Sequence, residues 1–585
     1  MNASTVEAKT RPEDLLPKEE LDKSIARLSE NKDRWAQLPV DDRIELLEQI
    51  KHCAMEVAED WVETATREKQ IPSGSPLSGE EWISGPYTLM SACNALMVTL
   101  GQLDGKGFLE DLPVRSVRDG QLAVRVVPRS VWDHLLLSGV KADMWMKENV
   151  TADNLRQSTA SIYDVPAESR SGSVSLVLGA GNIAAIAPLD CMHKLFTENA
   201  VVLLKLNPVN DYLGKFLRAA LKPLIDFGAL QIVTGGADVG EYLCNHPDVE
   251  SIHITGAGSS HDAIVWGVGA TADENRKANV PRNTRRITSE LGAVCPTIVV
   301  PGPWTNADIR FQAEQVATQK LHNSGFNCVA CQVLVMPEQW SKGDQFSDVL
   351  VDTLKDAPKR GLYYPGAEER IDEFLSAYPD AQACSESDTD ARRVVVALNG
   401  TVENELAQQK EVFAPVLSIK RIGGDTAEEF LRNAVTYCNE NLHGTLGANI
   451  IIHPATRREI GEKWNEVIAE LKYGCIGVNA WTGLGFLTVQ TAWGAFPGHT
   501  LDDVQSGIGF VHNTYMFEGV ERTVIEAPFR PFPRNLLHGS VTLLPKPPWF
   551  VTNRKADKLG RLLTRFQYKP GFLKIPRIFW NALLG

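Results

Sequence analysis

Cys328 closes the stretch Asn323-Ser-Gly325-Phe326-Asn327-Cys328, between a helical run and the strand-like segment CQVLVM. A cysteine in a glycine-bearing turn between elements is placed to react, because the thiolate is strongly nucleophilic and adds to electrophilic carbon. The bland alternative is a small buried hydrophobe, the commoner fate of a cysteine. Cys328 and Cys331 also form a Cys-x-x-Cys pair. Without a second such pair it gives a structural zinc site little support. A redox disulfide would need the active-site helix of a thioredoxin-like fold, which is not evident here. Glu290, in Glu290-Leu-Gly292-Ala, is a carboxylate before a glycine turn. It reads either as a general base, if burial lifts its pKa, or as a capping or surface residue. His253 and His261 read as structural or exposed, and no cluster has metal-ligand spacing.

Three glycine turns stand at the ends of strand-like runs. Gly179-Ala-Gly181-Asn182-Ile-Ala184 fits the short dinucleotide fingerprint, in which a tight turn approaches a pyrophosphate and a helix N-terminus faces its charge. The same pattern suits a purely structural strand–helix turn. The next strand ends in Lys205 rather than an acidic residue, which hints at a 2'-phosphate and hence NADP. Thr234-Gly235-Gly236 and Thr255-Gly256-Ala257-Gly258 compete for the ligand. None carries a P-loop lysine, which argues against phosphoryl transfer.

The elements that must position these residues alternate. SVSLVL, AVVLLK (200–205), LQIVTG (230–235) and SIHITG (251–256) are apolar runs separated by helical stretches, which predicts parallel βαβ units with right-handed crossovers. TIVVPG (297–302), a helix over 306–322, CQVLVM (331–336) and a strand near Leu446–Ile452 predict a second α/β unit. Upstream, Ile44, Leu47, Ile50, Ala54 and Val57 recur at helical spacing, so residues 17–70 are expected to form two helices. Residues 113–136 carry strand-like runs broken at Asp119-Gly120. Residues 1–16 are expected to be polar and mobile, and 491–585 irregular. The expected division is 17–300, with the N-terminal helices and the doubly wound parallel sheet; 301–490, the second α/β domain; and 491–585, a return segment and C-terminal extension.

A chain of 585 residues exceeds what one core usually carries. Its net charge of −14 argues against nucleic acid as a partner. The N-terminus has no basic region followed by an apolar run, and no stretch has the length and hydropathy of a membrane span. Scattered cysteines predict free thiols in a reducing, cytoplasmic compartment. The Asn2-Ala-Ser sequon then carries no weight. From Arg530 onward the chain holds 11 Lys/Arg against one Asp, so the remainder is strongly acidic.

Taken in order, these motifs resemble the aldehyde dehydrogenase superfamily from about residue 40 to 510. Asn182 in GAGNIAAIAP stands where the family places the asparagine that binds the oxyanion. Lys205, 23 residues on, matches the lysine that contacts the adenosine ribose. VTGG and ITGAGSS match the family's two glycine turns, so Gly235, Gly256 and Ala257 are expected along the cofactor. Glu290 matches the general base and Cys328 the nucleophile. Glu411-Val-Phe413-Ala-Pro415 matches the motif whose glutamate holds the nicotinamide ribose and whose phenylalanine packs beside the nicotinamide. GVNAW (477–481) and SGIG (506–509) match late turns. The Gly179 turn is, on this reading, more a scaffold for Asn182 than a fingerprint.

The resemblance implies a cofactor domain, a catalytic domain and an oligomerisation segment. It implies NAD- or NADP-dependent oxidation of an aldehyde to an acid through a cysteine thiohemiacetal and thioester, in a homo-oligomer (dimer or tetramer). Two alternatives are a coenzyme A-dependent acylating enzyme or acyl reductase, and a weakly catalytic scaffold. The sequence departs from the family pattern at Ala180-Gly181 for Pro-Trp, Phe326 for Gln, Val333 for Arg and Pro208 for an acidic residue. Loss of the acidic partner at Pro208 removes a repulsion against a 2'-phosphate. The spacings Gly256–Glu290 and Glu290–Cys328 are longer than usual. The basic, aromatic extension over 530–585 is expected to pack on a neighbouring subunit or cap an acidic surface. A second reading is peripheral membrane contact through Phe572, Ile575, Ile578, Phe579 and Trp580.

Overall fold

A computed structural model of the chain describes residues 17–384, 392–398 and 405–585. Residues 1–16, expected to be mobile, lie outside the described residues, as does the sequon at Asn2. Two sheets organise the rest. The smaller has five parallel strands, Ser173–Leu178, Ala200–Lys205, Leu230–Val233, Ser251–Gly256 and Arg286–Leu291. The short strand Gly507–Ile508 pairs antiparallel to the last of these. The first three strands step outward in one direction. The chain then returns to place Ser251–Gly256 on the other side of Ser173–Leu178. The switch point, where such sheets bind ligands, therefore lies between the Gly179 and Gly256 turns. The strand residues are almost all buried, which explains apolar runs rather than alternation.

The larger sheet has eleven strands. Seven run parallel: Cys295–Val299, Cys331–Pro337, Val394–Leu398, Val416–Ile422, Gly447–Ile451, Cys475–Val478 and Val520–Glu526. The sheets do not follow contiguous blocks of chain. Val114–Ser116, Leu122–Val127 and Lys141–Met146 precede the small sheet in sequence, yet they extend the large one through antiparallel pairing on Val520–Glu526. The expected strand-like character of 113–127 holds, whereas Val131–Leu136 is a helix with a Ser130/Asp133 capping box.

The chain passes from Arg286–Leu291 to Cys295–Val299 through only three residues. The carboxyl edge of the small sheet thereby meets the amino edge of the large one. Glu290 stands at the first edge. Cys328 and Glu411, just before Cys331–Pro337 and Val416–Ile422, stand at the second.

Two helices, Lys18–Ala36 and Val40–Glu68, pack on the small-sheet layer, as their periodicity predicts. The expectation of an irregular 491–585 is corrected. Val520–Glu526 is an interior strand, and Ala556–Tyr568 and Ile575–Leu583 are helices. The apolar spacing Leu559, Leu562, Leu563, Phe566 faces the body of the protein, and glycine- and proline-rich flanks obscure it in sequence.

The extension packs on its own chain. Arg530 and Arg534 reach the buried Asp308, and Lys546 pairs with Glu314 at 3.1 Å. Arg561 pairs with Glu59. The acidic complement was foreseeable from the charge asymmetry. A neighbouring subunit is not needed to supply it.

Candidate active site

The helix Asn306–Leu321 starts with a Thr305/Asp308 capping box and ends at a tight turn. In that turn Asn323, Ser324 and Gly325 all take positive φ (52°, 53° and 78°). Two successive non-glycine residues in this region are costly, of order 1–3 kcal/mol each, and persist only where surroundings impose them. Here the surroundings are explicit. Asn323 N–H donates to Glu80 Oε2 at 3.0 Å, and its side-chain oxygen accepts from Arg360 and from Tyr363 Oη, each at 3.0 Å. Its amide nitrogen donates to the carbonyls of Asn182 (3.1 Å) and Phe326 (3.0 Å). Asn182 in turn donates from Nδ2 to Phe326 O at 2.9 Å. Glu80 is ion-paired with Arg360. Burial pushes the Glu80 carboxyl up, but His322 and Arg360 outweigh it and hold the group below its ordinary value.

This network ties the Asn182 turn of the small sheet to the cysteine turn of the large one. Glu80, Arg360 and Tyr363 are the residues sequence reasoning missed. Glu80 lies 280 residues from Arg360, and no spacing links it to Arg360 and Tyr363.

Cys328 is half-buried and opens into a cavity of about 50 Å³ that Asn182 also lines, with Ile183, Trp481, Phe486 and Trp493 around it. Its thiol faces the Glu290 carboxyl. Burial, and next the negative charge of Asp190, push Glu290 up to about 8. Burial, then the Glu290 and Glu411 carboxyls, push the Cys328 thiol well above its ordinary value. The sign is fixed by these causes. Below about pH 8 the pair rests as thiol and carboxylic acid, and raising the pH first frees the carboxylate to take the thiol proton. The same shift is a stability term. The folded-state value lies above the unfolded one near 4.5, so Glu290 favours the fold below that value. The contribution is lost as pH rises through about 8.

Glu411 lies beside this pair. Burial and the charge of Glu290 push it up to about 8 as well, and its Oε1 has no hydrogen-bond partner among the described residues. Its carboxylate crosses directly over Gly292. A Cβ built on Gly292 would stand 1.9 Å from Glu411 Oε2. Gly292→Ala is therefore expected to expel the Glu411 carboxyl and, on the expectation from the sequence that Glu411 holds the nicotinamide ribose, to raise the KM for that cofactor by roughly tenfold or more, the cost of one lost charge-assisted hydrogen bond. Initial-rate titration with NAD and NADP checks it. An unchanged KM would mean that Glu411 does not touch the cofactor.

Phe413, with φ of 43°, lies 5.7 Å from the Phe326 ring and 5.0 Å from that of Tyr364. The aromatic residue standing where the family has glutamine thus belongs to a ring cluster. Lys320, another unforeseen residue, is buried beside Glu411 and donates to Ala414 O at 3.1 Å. Burial lowers it to about 8.

At the other end of the small-sheet edge, Lys205 is buried, and its Nζ reaches the Leu206 carbonyl only at 3.4 Å. Burial lowers its pKa to about 8, against the attraction of Asp238. Gly256 is exposed, and open space surrounds Gly258 at the start of the helix Gly258–Trp266. Gly235, by contrast, is closed in, since a Cβ there would stand 2.5 Å from Val239. Cys331 is buried in its strand, and among the described residues no His, Cys, Asp or Glu group could hold a metal. His253 and His261 are both buried, the structural one of the two expected alternatives. His253 bonds Thr288 at 2.9 Å and Thr255 at 3.2 Å.

Comparison with known proteins bears directly on this arrangement. The model of the "Aldehyde dehydrogenase family" matches residues 184–361, a span that contains both Glu290 and Cys328. Solved aldehyde dehydrogenases share the fold over nearly the whole chain. The NAD-dependent aldehyde dehydrogenase from Sinorhizobium meliloti aligns over 88% of each chain, with a TM-score of 0.58 and 17% identity. Residues 184–361 of this chain match the aldehyde dehydrogenase family, and its fold is that of the aldehyde dehydrogenases.

A variant of aldehyde dehydrogenase C from Pseudomonas syringae, solved with NAD+ and octanal, gives a TM-score of 0.58 at 14% identity over 88% of this chain and 90% of that one. Among curated relatives, malonate-semialdehyde dehydrogenase 1 of Oceanobacillus iheyensis is 23% identical over 45% of this chain. D-glyceraldehyde dehydrogenase (NADP(+)) of Thermoplasma acidophilum is 25% identical over 46% of it. The matched stretch spans 57% and 55% of those relatives' lengths. This aldehyde dehydrogenase-like chain carries extra C-terminal residues beyond the usual fold.

Proposed function

We propose that the chain oxidises an aldehyde to the carboxylic acid, with NAD or NADP as acceptor, Cys328 as nucleophile and Glu290 as base. The observation that carries this reading is the Cys328 thiol facing a buried, pKa-raised Glu290 carboxyl in the cavity that Asn182 lines. The Glu290 carboxylate takes the thiol proton, and the thiolate adds to the aldehyde carbon. Asn182 has two amide N–H groups. One is held by Phe326 O, and the other is left for the oxyanion.

The residues present fit a dinucleotide: a buried Glu411 carboxyl whose Oε1 lacks a hydrogen-bond partner, a weakly bonded Lys205 cation, and exposed backbone at Gly256 and Ala257. When bound there, the nicotinamide would accept the hydride that the thiohemiacetal carbon loses. Glu290 releases the thiol proton to solvent, and its carboxylate then deprotonates the water that hydrolyses the thioester, passing that proton to the departing Cys328 sulfur. Overall, aldehyde, water and oxidised cofactor give acid, reduced cofactor and one proton. A general base at this position favours hydrolysis over transfer to coenzyme A.

An aldehyde panel run with both NAD and NADP tests the reading. Formation of reduced cofactor and free acid without added thiol is expected. Acid formation that requires coenzyme A would contradict it. Lys205 and Pro208 support acceptance of a 2'-phosphate.

Peripheral contact with lipid belongs to the same proposal. No helix among the described residues is long and apolar enough to cross a membrane. Of the five residues expected at a lipid surface, Phe572 and Trp580 are exposed, whereas Ile578 is buried and Ile575 and Phe579 are half-buried; Leu573 (97% exposed) stands out instead, beside Lys569 and Arg577. Apolar residues flanked by basic ones suit an anionic lipid surface. Sedimentation with phosphatidylglycerol vesicles is expected, and loss of it when Leu573→Asp and Trp580→Asp are combined. Equal sedimentation of both proteins would remove the idea.

A further inference from the structure

Next to the catalytic cavity lies a second and far larger one, of about 450 Å³. Protein interiors are close-packed, so a void of this size is not incidental. It falls within the range that holds a whole small ligand, roughly 300–1,000 Å³. One wall is the helix Thr88–Leu100 and another is Val131–Leu136, with Trp132 between them and the roof. The roof is built by the C-terminal extension, through Trp549, Leu563, Phe566, Ile578 and Phe579.

That roof is fixed in place. Gly79 and Gly560 let two helices cross at backbone contact, since a Cβ on Gly79 would lie 2.3 Å from the Ala556 carbonyl and one on Gly560 would lie 2.6 Å from Trp82 Cβ. His52 Nδ1 meets Tyr568 Oη at 2.7 Å, and Asn94 donates to Gln567 O at 2.9 Å. The void is therefore not the product of a loosely docked tail.

The two cavities share walls. Ile83, Leu487 and Trp549 line both. The room around Cys328 accommodates a carbonyl and little more, and these three residues stand between it and the larger room.

We infer that the cavity roofed by the C-terminal extension binds the apolar body of the substrate, and that the substrate is a long-chain aliphatic aldehyde. This rests on the proposed chemistry at Cys328. A short aldehyde would fill only the inner room and forgo the outer one. Each methylene transferred from water into the outer room is worth about a fourfold gain in kcat/KM until the cavity is full.

The test is a series of n-alkanals from propanal to tetradecanal, with oxidised cofactor saturating. Specificity is expected to climb by about fourfold per methylene over part of the series and then level off. Ala95→Phe and, separately, Leu563→Trp intrude into the outer room. Each is expected to lower the ratio of kcat/KM for decanal over propanal by about tenfold or more, the worth of two methylenes. Circular dichroism establishes that each variant is folded, and either one suffices.

Binding of the fluorescent fatty acid cis-parinaric acid to the Cys328→Ala protein reads the same room without catalysis. Saturable binding that Ala95→Phe or Leu563→Trp abolishes supports the site. Propanal turned over with decanal no better, or a variant that lowers both equally, overturns the inference and leaves the Cys328 chemistry standing. No aldehyde turned over, with the probe still bound and displaced by the intruding side chains, removes that chemistry and keeps the apolar site.

Discussion

The Cys328→Ala protein is expected to lose aldehyde-dependent reduction of NAD(P) by about 10⁴-fold or more, the scale seen when a covalent nucleophile is removed. No neighbouring thiol can take its place. Cys295 is fully buried, with its sulfur 3.3 Å from the Cys328 carbonyl and not in the cavity lining. Cys331 is held in the interior of its strand near Thr297. The variant should keep its fold, because Cys328 is only half-buried and a small side chain replaces a small one. It should also bind cofactor as before, since the residues proposed for that task lie on Glu411, Lys205 and the glycine turns. Steady-state rates, with cofactor fluorescence titration as the control, check both halves. A rate within tenfold of the parent would mean that another group attacks the aldehyde.

Glu290→Gln should act differently. General-base catalysis contributes about 10²–10⁴-fold, so turnover should fall within that span. The fall should be distributed unevenly over the cycle. With no carboxylate to activate water, hydrolysis of the thioester slows most, and a burst of reduced cofactor should precede a slow steady state.

The pH profile should change as well. Glu290 is pushed up to about 8, and the active form is the carboxylate, so the parent enzyme's kcat/KM should rise with pH through that region and then flatten. Glutamine removes this limb. Because Glu411 is pushed to about 8 beside it, the midpoint of the limb reflects both carboxyls, while the limb itself requires Glu290. Stopped-flow absorbance of the reduced cofactor across pH 6–10 separates burst from steady state. A variant that keeps the parent's limb and shows no burst would assign the base elsewhere. Thermal unfolding gives an independent reading. The variant should lose less stability than the parent as pH rises from about 5 toward 8, because it lacks the buried acid whose ionisation the fold opposes.

Much of this site was legible in the sequence because its parts are local. Strands buried on both faces leave continuous apolar runs, and glycine turns at their ends mark where a parallel sheet opens to a ligand. Ser251–Gly256 and Lys205 were read in this way. What the sequence could not reveal was pairing between distant segments. Lys141–Met146 and Val520–Glu526 join one sheet although some 370 residues separate them, and neither run alone names its partner. The Glu80–Arg360–Asn323 network is hidden for the same reason. A buried carboxylate and a guanidinium look like surface charges until the fold brings them together. The extension was legible by charge and not by structure. Its basic residues do meet acids, but those acids belong to the same chain.

The most direct test uses the Glu290→Gln protein, in which the thioester should accumulate. Incubation with an alkanal and oxidised cofactor, followed by acid quench and peptide mass spectrometry, should find the peptide containing Cys328 heavier by one acyl group. The label should appear only when cofactor is present. An unmodified Cys328 despite a full burst of reduced cofactor, or an acyl group on a different side chain, would contradict the convergence of thiol, amide and carboxylate proposed here.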